Sequence, residues 1–295
     1  MGVLHTPEDR FDAIPEYPYE PQSIDVDGLS MAYVEAGSGQ ETFLCLHGEP
    51  TWGYLYRSLI PTLSTAGRVV VPDFLGFGRS DKLDDPEAYS FEFHYDALLR
   101  LVETLNLQNI TLVCQDWGGI LGLSLAANEP ERFARLVPMN TGIPRGTQTM
   151  PEDWERFRSF VESAEELPIG TLIQNATATD LDEQTLEAYN VPFPTESHKA
   201  GARAWPDMVP RKGGGDGHEI TRKASERLGE WTKPAFVLFS DSDPITKNNR
   251  EPLREHIPTA SEQPDTWIEG AGHFLQEDAG ERIAEEIVAF VRRTK

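Results

Sequence analysis

The stretch "ITLVCQDWGGILGLSL" (Ile110–Leu125) decides how this chain is read. Ile110 to Gln115 has the continuous apolar, β-branched character of a strand covered on both faces, and the run from Gly118 onward suits a helix packed back against it. Asp116 stands at the tip of the turn between them. So sharp a turn forces the tip residue into strained backbone, and its neighbours two positions away must be small. Cys114, Gly118 and Gly119 meet that demand. The tip side chain then stands at the carboxyl end of the sheet and at a helix N-terminus, whose dipole favours an anion. A hydroxyl is the usual nucleophile at such a tip, so a carboxylate there implies different chemistry. The plainer role for Asp116 is a helix N-cap, for which aspartate is a preferred residue.

The pattern repeats on either side. "TFLCLHG" from Thr42, "RVVVPDF" from Arg68, "ARLVPMN" from Ala134 and "PAFVLFS" from Pro234 are further continuous apolar runs, while Phe91, Tyr95, Leu98, Leu99, Val102 and Leu105 recur at helical spacing. Ile283, Ile287 and Phe290 form a similar stripe near the C-terminal end of the chain. Strand and helix in alternation predict an α/β fold with an open, mostly parallel, doubly wound sheet. The rhythm breaks between Thr141 and Leu228, where "PEDWERFRSFVESAEEL" and "DEQTLEAYN" look helical and no strong strand appears. Residues 1–140 and 229–295 are therefore expected to form the core, and residues 141–228 a helical cap inserted over the ends of the strands. "RKGGGDG" (Arg211–Gly217) lacks the lysine and hydroxyl residue of a phosphate loop and follows no strand, so a mobile surface loop is expected.

Composition narrows the partners. With 49 acidic against 26 basic residues the formal net charge is −23, which repels nucleic acid and anionic lipid, and neither partner is expected. Such an excess fits a chain kept soluble at high salt, the alternative being an ordinary acidic protein of the cytoplasm. Cys45 and Cys114 both fall in predicted core strands, as small buried hydrophobes suited to a reducing compartment. No secretion signal or apolar membrane span is visible, and "MGVLHT" matches a myristoylation pattern without a polybasic patch to support it. A cytoplasmic location is the expectation.

Two further groups follow the elbow in the order nucleophile, acid, histidine. "LFSDSDPIT" (Leu238–Thr246) ends a strand with Asp241 and Asp243, of which Asp243, just past the strand and before Pro244, is the candidate acid and Asp241 a turn former. "IEGAGHFLQE" (Ile268–Glu277) presents His273 in a glycine-flanked loop, a poor core position and a good catalytic one, whereas His94 and His198 read as surface or packing residues. "LHGEPTWGYLYR" (Leu46–Arg57) makes a tight turn at the end of the first core strand, and "PDFLGFGRSDK" (Pro72–Lys82) is a glycine-rich loop that shapes the site.

"HGEPTW", "PDFLGFGRSDK", "CQDWGG", "FSDSDP" and "AGHF" together place the chain, over nearly its whole length, among sequences that resemble haloalkane dehalogenases of the α/β-hydrolase fold. It is most similar to the subfamily whose acid follows the cap. The resemblance implies that Asp116 displaces halide from saturated carbon and becomes an alkyl ester. His273 then activates water, supported by Asp243, and the backbone N–H groups of Glu49 and Trp117 hold the oxyanion. Haloalkane is the implied substrate, with a primary alcohol, halide and a proton as products. Chloride or bromide is expected in the site, and no metal or organic cofactor is implied. A departing halide needs N–H donors in an apolar pocket, and an indole donates without offering an acceptor. Trp117 supplies one, and the resemblance implies a second tryptophan in the cap: Trp154 by family position, with Trp205 and Trp231 as competitors. The Glu49 side chain is implied to help place the hydrolytic water.

"DWGG" is shared with epoxide hydrolases, which use two cap tyrosines where this cap has only Tyr189. Fluoroacetate dehalogenases carry arginine after the nucleophile, where this chain has Trp117. A non-catalytic binding protein of the same fold would show a damaged triad. Oligomeric state leaves no mark in the sequence.

Overall fold

Apolar runs too continuous to leave a face in water fold into a sheet covered on both sides. The computed structural model describes residues 2–295. Its strands are β1 (Val3–Leu4), β2 (Gln22–Val26), β3 (Leu29–Ala36), β4 (Thr42–Leu46), β5 (Arg68–Pro72), β6 (Lys82–Leu83), β7 (Ile110–Gln115), β8 (Phe133–Met139), β9 (Phe239–Ser240) and β10 (Trp267–Ile268). The first five helices are α1 (Ile60–Leu63), α2 (Phe91–Thr104), α3 (Trp117–Asn128), α4 (Glu152–Ser163) and α5 (Ile169–Ala176). They are followed by α6 (Glu183–Asn190), α7 (Ala200–Met208), α8 (His218–Leu228), α9 (Arg250–His256) and α10 (Leu275–Arg293).

The main sheet runs β2-β3-β5-β4-β7-β8, parallel from β5 to β8 and antiparallel at β2 and β3. Every residue of β4 and β7 is buried. Full burial of each such aliphatic side chain stabilises the fold by about 1.5–3 kcal/mol, so these two strands anchor the sheet. Cys45 and Cys114 lie within them as free, buried thiols. The antiparallel pair was not foreseen, because β2 shows Gln22, Ser23 and Asp25 to solvent and only Ile24 and Val26 to the core, the signature of an edge strand. The run at Pro234 makes a shorter formal strand than its apolar length suggests. Its backbone nevertheless continues the sheet beside β8, through Phe236 N–H to Leu136 O at 2.8 Å and Leu238 N–H to Pro138 O at 3.1 Å, and β9 then pairs in parallel with β10.

β4 has β5 on one side and β7 on the other, so the order of connection reverses there. A crevice opens outside the carboxyl ends of parallel strands at such a switch point. Helices α4 to α8 occupy the stretch between β8 and β9, and α4, α5 and the end of α7, with the loop before α4, supply the opposite wall of that crevice. The loop at Arg211–Gly217 is tied down: Arg211 and Gly214 form an antiparallel bridge, and the Asp216 carboxylate accepts from Phe91 N–H at 2.9 Å.

Candidate active site

Asp116 adopts φ 51° and ψ −124°, a conformation that L residues adopt only when the surroundings enforce it. The enforcement is visible. Its N–H donates to Asn140 O at 3.1 Å, and its own carbonyl accepts from Gly119 N–H at 2.9 Å and from the Thr141 hydroxyl at 2.6 Å. A Cβ on Gly118 would lie 2.2 Å from Leu46 O, so only glycine lets α3 approach the end of β4 this closely.

The Asp116 side chain makes no capping bond to α3. It turns instead to the end of β4, where Oδ1 accepts from Glu49 N–H at 2.8 Å, while Oδ2 stands 3.5 Å from His273 Nε2. Glu49 is placed by His47, whose buried ring bonds Gly48 O through Nδ1 at 3.1 Å and accepts from Phe74 N–H at Nε2 at 3.0 Å. Burial outweighs the pull of the Gly48 carbonyl and of Asp116 on that ring and lowers its pKa to about 4, so His47 is a neutral strut. Trp117 opens α3, and its backbone N–H has no partner within the helix.

His273 bonds Asp243 through Nδ1 at 3.0 Å. Asp243 is fully buried and also accepts from Ile245 N–H at 2.8 Å, Thr246 N–H at 3.1 Å and the Thr246 hydroxyl. Burial alone would raise its pKa. The charge and hydrogen bond of His273, together with the Thr246 and Ile245 donors, outweigh burial and hold it below the ordinary carboxylate value. Asp241 makes a turn instead, accepting from Gly270 N–H at 2.8 Å. Burial likewise depresses the His273 imidazole, but Asp243 and Asp116 on its two sides win and lift its pKa to about 10. Glu49 is buried with both side-chain oxygens unpartnered among the described residues. Desolvation, reinforced by the Asp116 charge, pushes its pKa well above the ordinary value.

Asp116, Trp117, Glu49 and His273 share a cavity of about 700 Å³ with Trp154 and Leu172 of the helical segment. Trp205 packs on Trp117 with ring centroids 5.2 Å apart, but its N–H donates to His94 Nε2 at 2.6 Å and it does not line the cavity. Trp231 is buried away from the cavity. Tyr189 directs its hydroxyl to Glu277, and no tyrosine lines the cavity among the described residues. His94 and His198 are packing residues, both buried.

Sequence reading missed Gln115 and Asn140. The Gln115 amide donates to His273 O at 3.2 Å and lies 3.1 Å from His273 Nε2, and Asn140 Nδ2 donates to both Gly272 O and His273 O at 3.0 Å. The available signal was a polar residue at the carboxyl end of each buried strand, where a doubly wound sheet gathers its functional groups.

Comparison with known proteins agrees with this geometry. Residues 41–280 match the model of the α/β hydrolase fold family. A haloalkane dehalogenase of Psychrobacter cryohalolentis is 41% identical over 99% of this chain and 98% of its own length. Haloalkane dehalogenase 1 of Mycobacterium tuberculosis is 40% identical over the full length of both. The tetrameric haloalkane dehalogenase DpaA of Paraglaciecola agarilytica superposes with a TM-score of 0.91 at 39% identity, covering 97% of each chain. An aspartate turned away from its helix toward a histidine, likeness along the whole chain and a shared fold converge, and the chain belongs to the haloalkane dehalogenases of the α/β-hydrolase fold, hydrolases that act on carbon–halide bonds.

Proposed function

We propose that Asp116 is the nucleophile, His273 the base, Asp243 the acid that supports it, and Glu49 and Trp117 the oxyanion donors, with the helical segment 141–228 acting as a cap over them. The observation that carries this reading is the Asp116 carboxylate, which forgoes its helix cap for Glu49 N–H and His273 Nε2. Oδ1, already in the oxyanion hole, becomes the ester carbonyl, and Oδ2 attacks carbon. The C–O bond forms as the C–halogen bond breaks, and halide leaves with the bonding pair. Water then adds to Cγ of Asp116 and gives a proton to His273. Collapse expels the alkoxide, which takes the proton held by His273, and the Asp116 carboxylic acid left behind ionises, so that the carboxylate is restored and one proton is released to solvent. Alkylation removes the Asp116 charge, one of the two that raise the His273 pKa, and so lowers that pKa before the step that needs a base. The Glu49 side chain, its oxygens unpartnered beside Asp116, is suited to hold the attacking water.

Trp117 and Trp154 are the proposed halide donors. Both line the cavity, and neither indole N–H has a protein acceptor among the described residues. Trp154 makes no ring contact with Trp117, and Arg211 lies over its face at 5.3 Å, so its support is a free donor on the cavity wall. An epoxide hydrolase would need tyrosine hydroxyls in that wall, and the Tyr189 hydroxyl is committed to Glu277. No helix among the described residues is long and apolar enough to cross a membrane, and the charge balance fits either a protein kept soluble at high salt or an ordinary acidic protein of the cytoplasm.

The test is 1-bromobutane with His273→Phe. Halide should appear in one stoichiometric burst and a butyl adduct on Asp116 should accumulate by mass spectrometry. A variant that turns over repeatedly, or never gains the adduct, would remove His273 or Asp116 from these roles. Styrene oxide should be left unopened by the unmodified enzyme.

A further inference from the structure

The loop that carries His273 is held from two sides by different parts of the chain. Its carbonyl groups are bonded by the core: Asn140 donates to Gly272 O and His273 O, and the Ser240 hydroxyl donates to Gly272 O at 2.7 Å. Its N–H groups face the other way. His273 N–H donates to Ala176 O, the last residue of α5, at 2.7 Å. The approach is so close that a Cβ on Gly272 would lie 2.5 Å from the same oxygen.

Asp278 closes this arrangement. It lies in the first turn of α10, directly before a break in helical geometry at Ala279. Its Oδ1 accepts from Ala178 N–H at 3.0 Å, Thr179 N–H at 2.8 Å and the Thr179 hydroxyl at 2.7 Å. Its Oδ2 accepts from Ala178 N–H at 3.0 Å and from Gly272 N–H at 2.8 Å. One carboxylate thus joins the segment after α5 to the residue before His273, across about a hundred residues of sequence. Leu172, Asn175 and Ala176 of α5 line the same cavity as Asp116 and His273. Whatever displaces α5 also pulls on the histidine.

We propose that Asp278 is a positioning residue that locks the His273 loop to the helical segment and thereby sets the rate of ester hydrolysis, not of halide displacement. The inference rests on the assignment of Asp116 as nucleophile and His273 as base. Alkylation needs no histidine and is indifferent to the lock. Hydrolysis needs Nε2 aimed at a water beside Cγ of Asp116, and a misplacement of one ångström there costs about a hundredfold.

The experiment is rapid-quench turnover of 1-bromobutane by Asp278→Asn, in which one acceptor oxygen is replaced by a donor facing N–H groups. The halide burst should stay within about twofold of the unmodified enzyme, while ester hydrolysis slows by about tenfold or more. The adduct on Asp116 should then persist at steady state, and kcat and KM should fall together with kcat/KM nearly unchanged. Thr179→Val, which removes the hydroxyl bond and keeps the backbone ones, should show the same split on a smaller scale and carries the test if Asp278→Asn fails to fold. Unchanged hydrolysis, or equal slowing of both steps, overturns the proposal. If His273→Phe still traps the ester while Asp278→Asn hydrolyses it normally, only this inference fails. If neither variant is ever alkylated, the underlying assignment fails instead.

Discussion

The two walls of the cavity hold their functional groups by different means. On the sheet side, Asp116 is fixed by its own backbone at φ 51°, by Gly118 pressed against the end of β4 and by Glu49 N–H at 2.8 Å. On the helical side, Trp154 is fixed by packing, with Arg211 over its ring at 5.3 Å, and Trp205, behind that wall, is held by its bond to His94 and by the rings of Phe77 and Trp117. Backbone placement tolerates no added atom, because carbonyls cannot be moved without breaking the sheet. Side-chain placement can be repacked. On the function proposed above, the first wall would set the reaction, and the second how halide and alkyl chain are received.

The largest effect tests the sheet wall directly. Asp116→Ala should lower halide release by roughly four orders of magnitude or more and abolish the adduct, while the melting temperature at neutral pH falls modestly, because the left-handed backbone remains and His273 loses one of its flanking charges. A stable variant that still releases halide would place the nucleophile elsewhere.

Paired glycines sharpen the contrast. Gly118→Ala should cost about 1–3 kcal/mol of stability, since its new methyl meets Leu46 O. Gly213→Ala, in the helical segment at φ +81° with nothing within 4 Å, should cost only the left-handed backbone penalty of about 1–2 kcal/mol and leave turnover intact. Chemical denaturation of both variants measures this, and equal activity losses would break the distinction between the walls.

Within the helical wall, Trp154→Phe should weaken bromide binding by about fivefold to tenfold, the worth of one hydrogen bond, as read by fluorescence quenching. Trp205→Phe should keep halide affinity near that of the unmodified enzyme but lose about 1–3 kcal/mol of stability, because buried His94 Nε2 loses its donor. The reverse pattern would make Trp205 the donor.

The smallest effect is a titration. Flanking carboxylates lift the folded-state pKa of His273 to about 10, so their stabilisation is fully present below the unfolded value near 6.5 and is lost as pH rises through 10. Asp116→Asn, a neutral stand-in for the ester, should show a lower His273 pKa by NMR, and its stability deficit against the unmodified enzyme should shrink between those pH values. A pKa equal in both proteins would mean that Asp116 does not tune the base.

Strand runs, the small residues around Asp116 and the chain order of Asp116, Asp243 and His273 were legible before any coordinates, because each depends on neighbours a few positions away or on order along the chain. The edge pair β2 and β3 was not, since its alternation is short and its pairing is decided across the sheet. Choice among tryptophans rested on family position more than on physics, and in the fold Trp154 lines the cavity while Trp231 does not and Trp205 commits its donor to His94. Asp278 gave no local sign, and Gln115 and Asn140 gave only that of a polar residue at a strand end, because what they do is bridge segments distant in sequence. The sequence by itself determined the sheet, the elbow and the class of chemistry through periodicity and steric demand over short range. Only tertiary packing decided which groups meet at the histidine, because a hydrogen bond depends on tenths of an ångström between elements that the sequence keeps far apart.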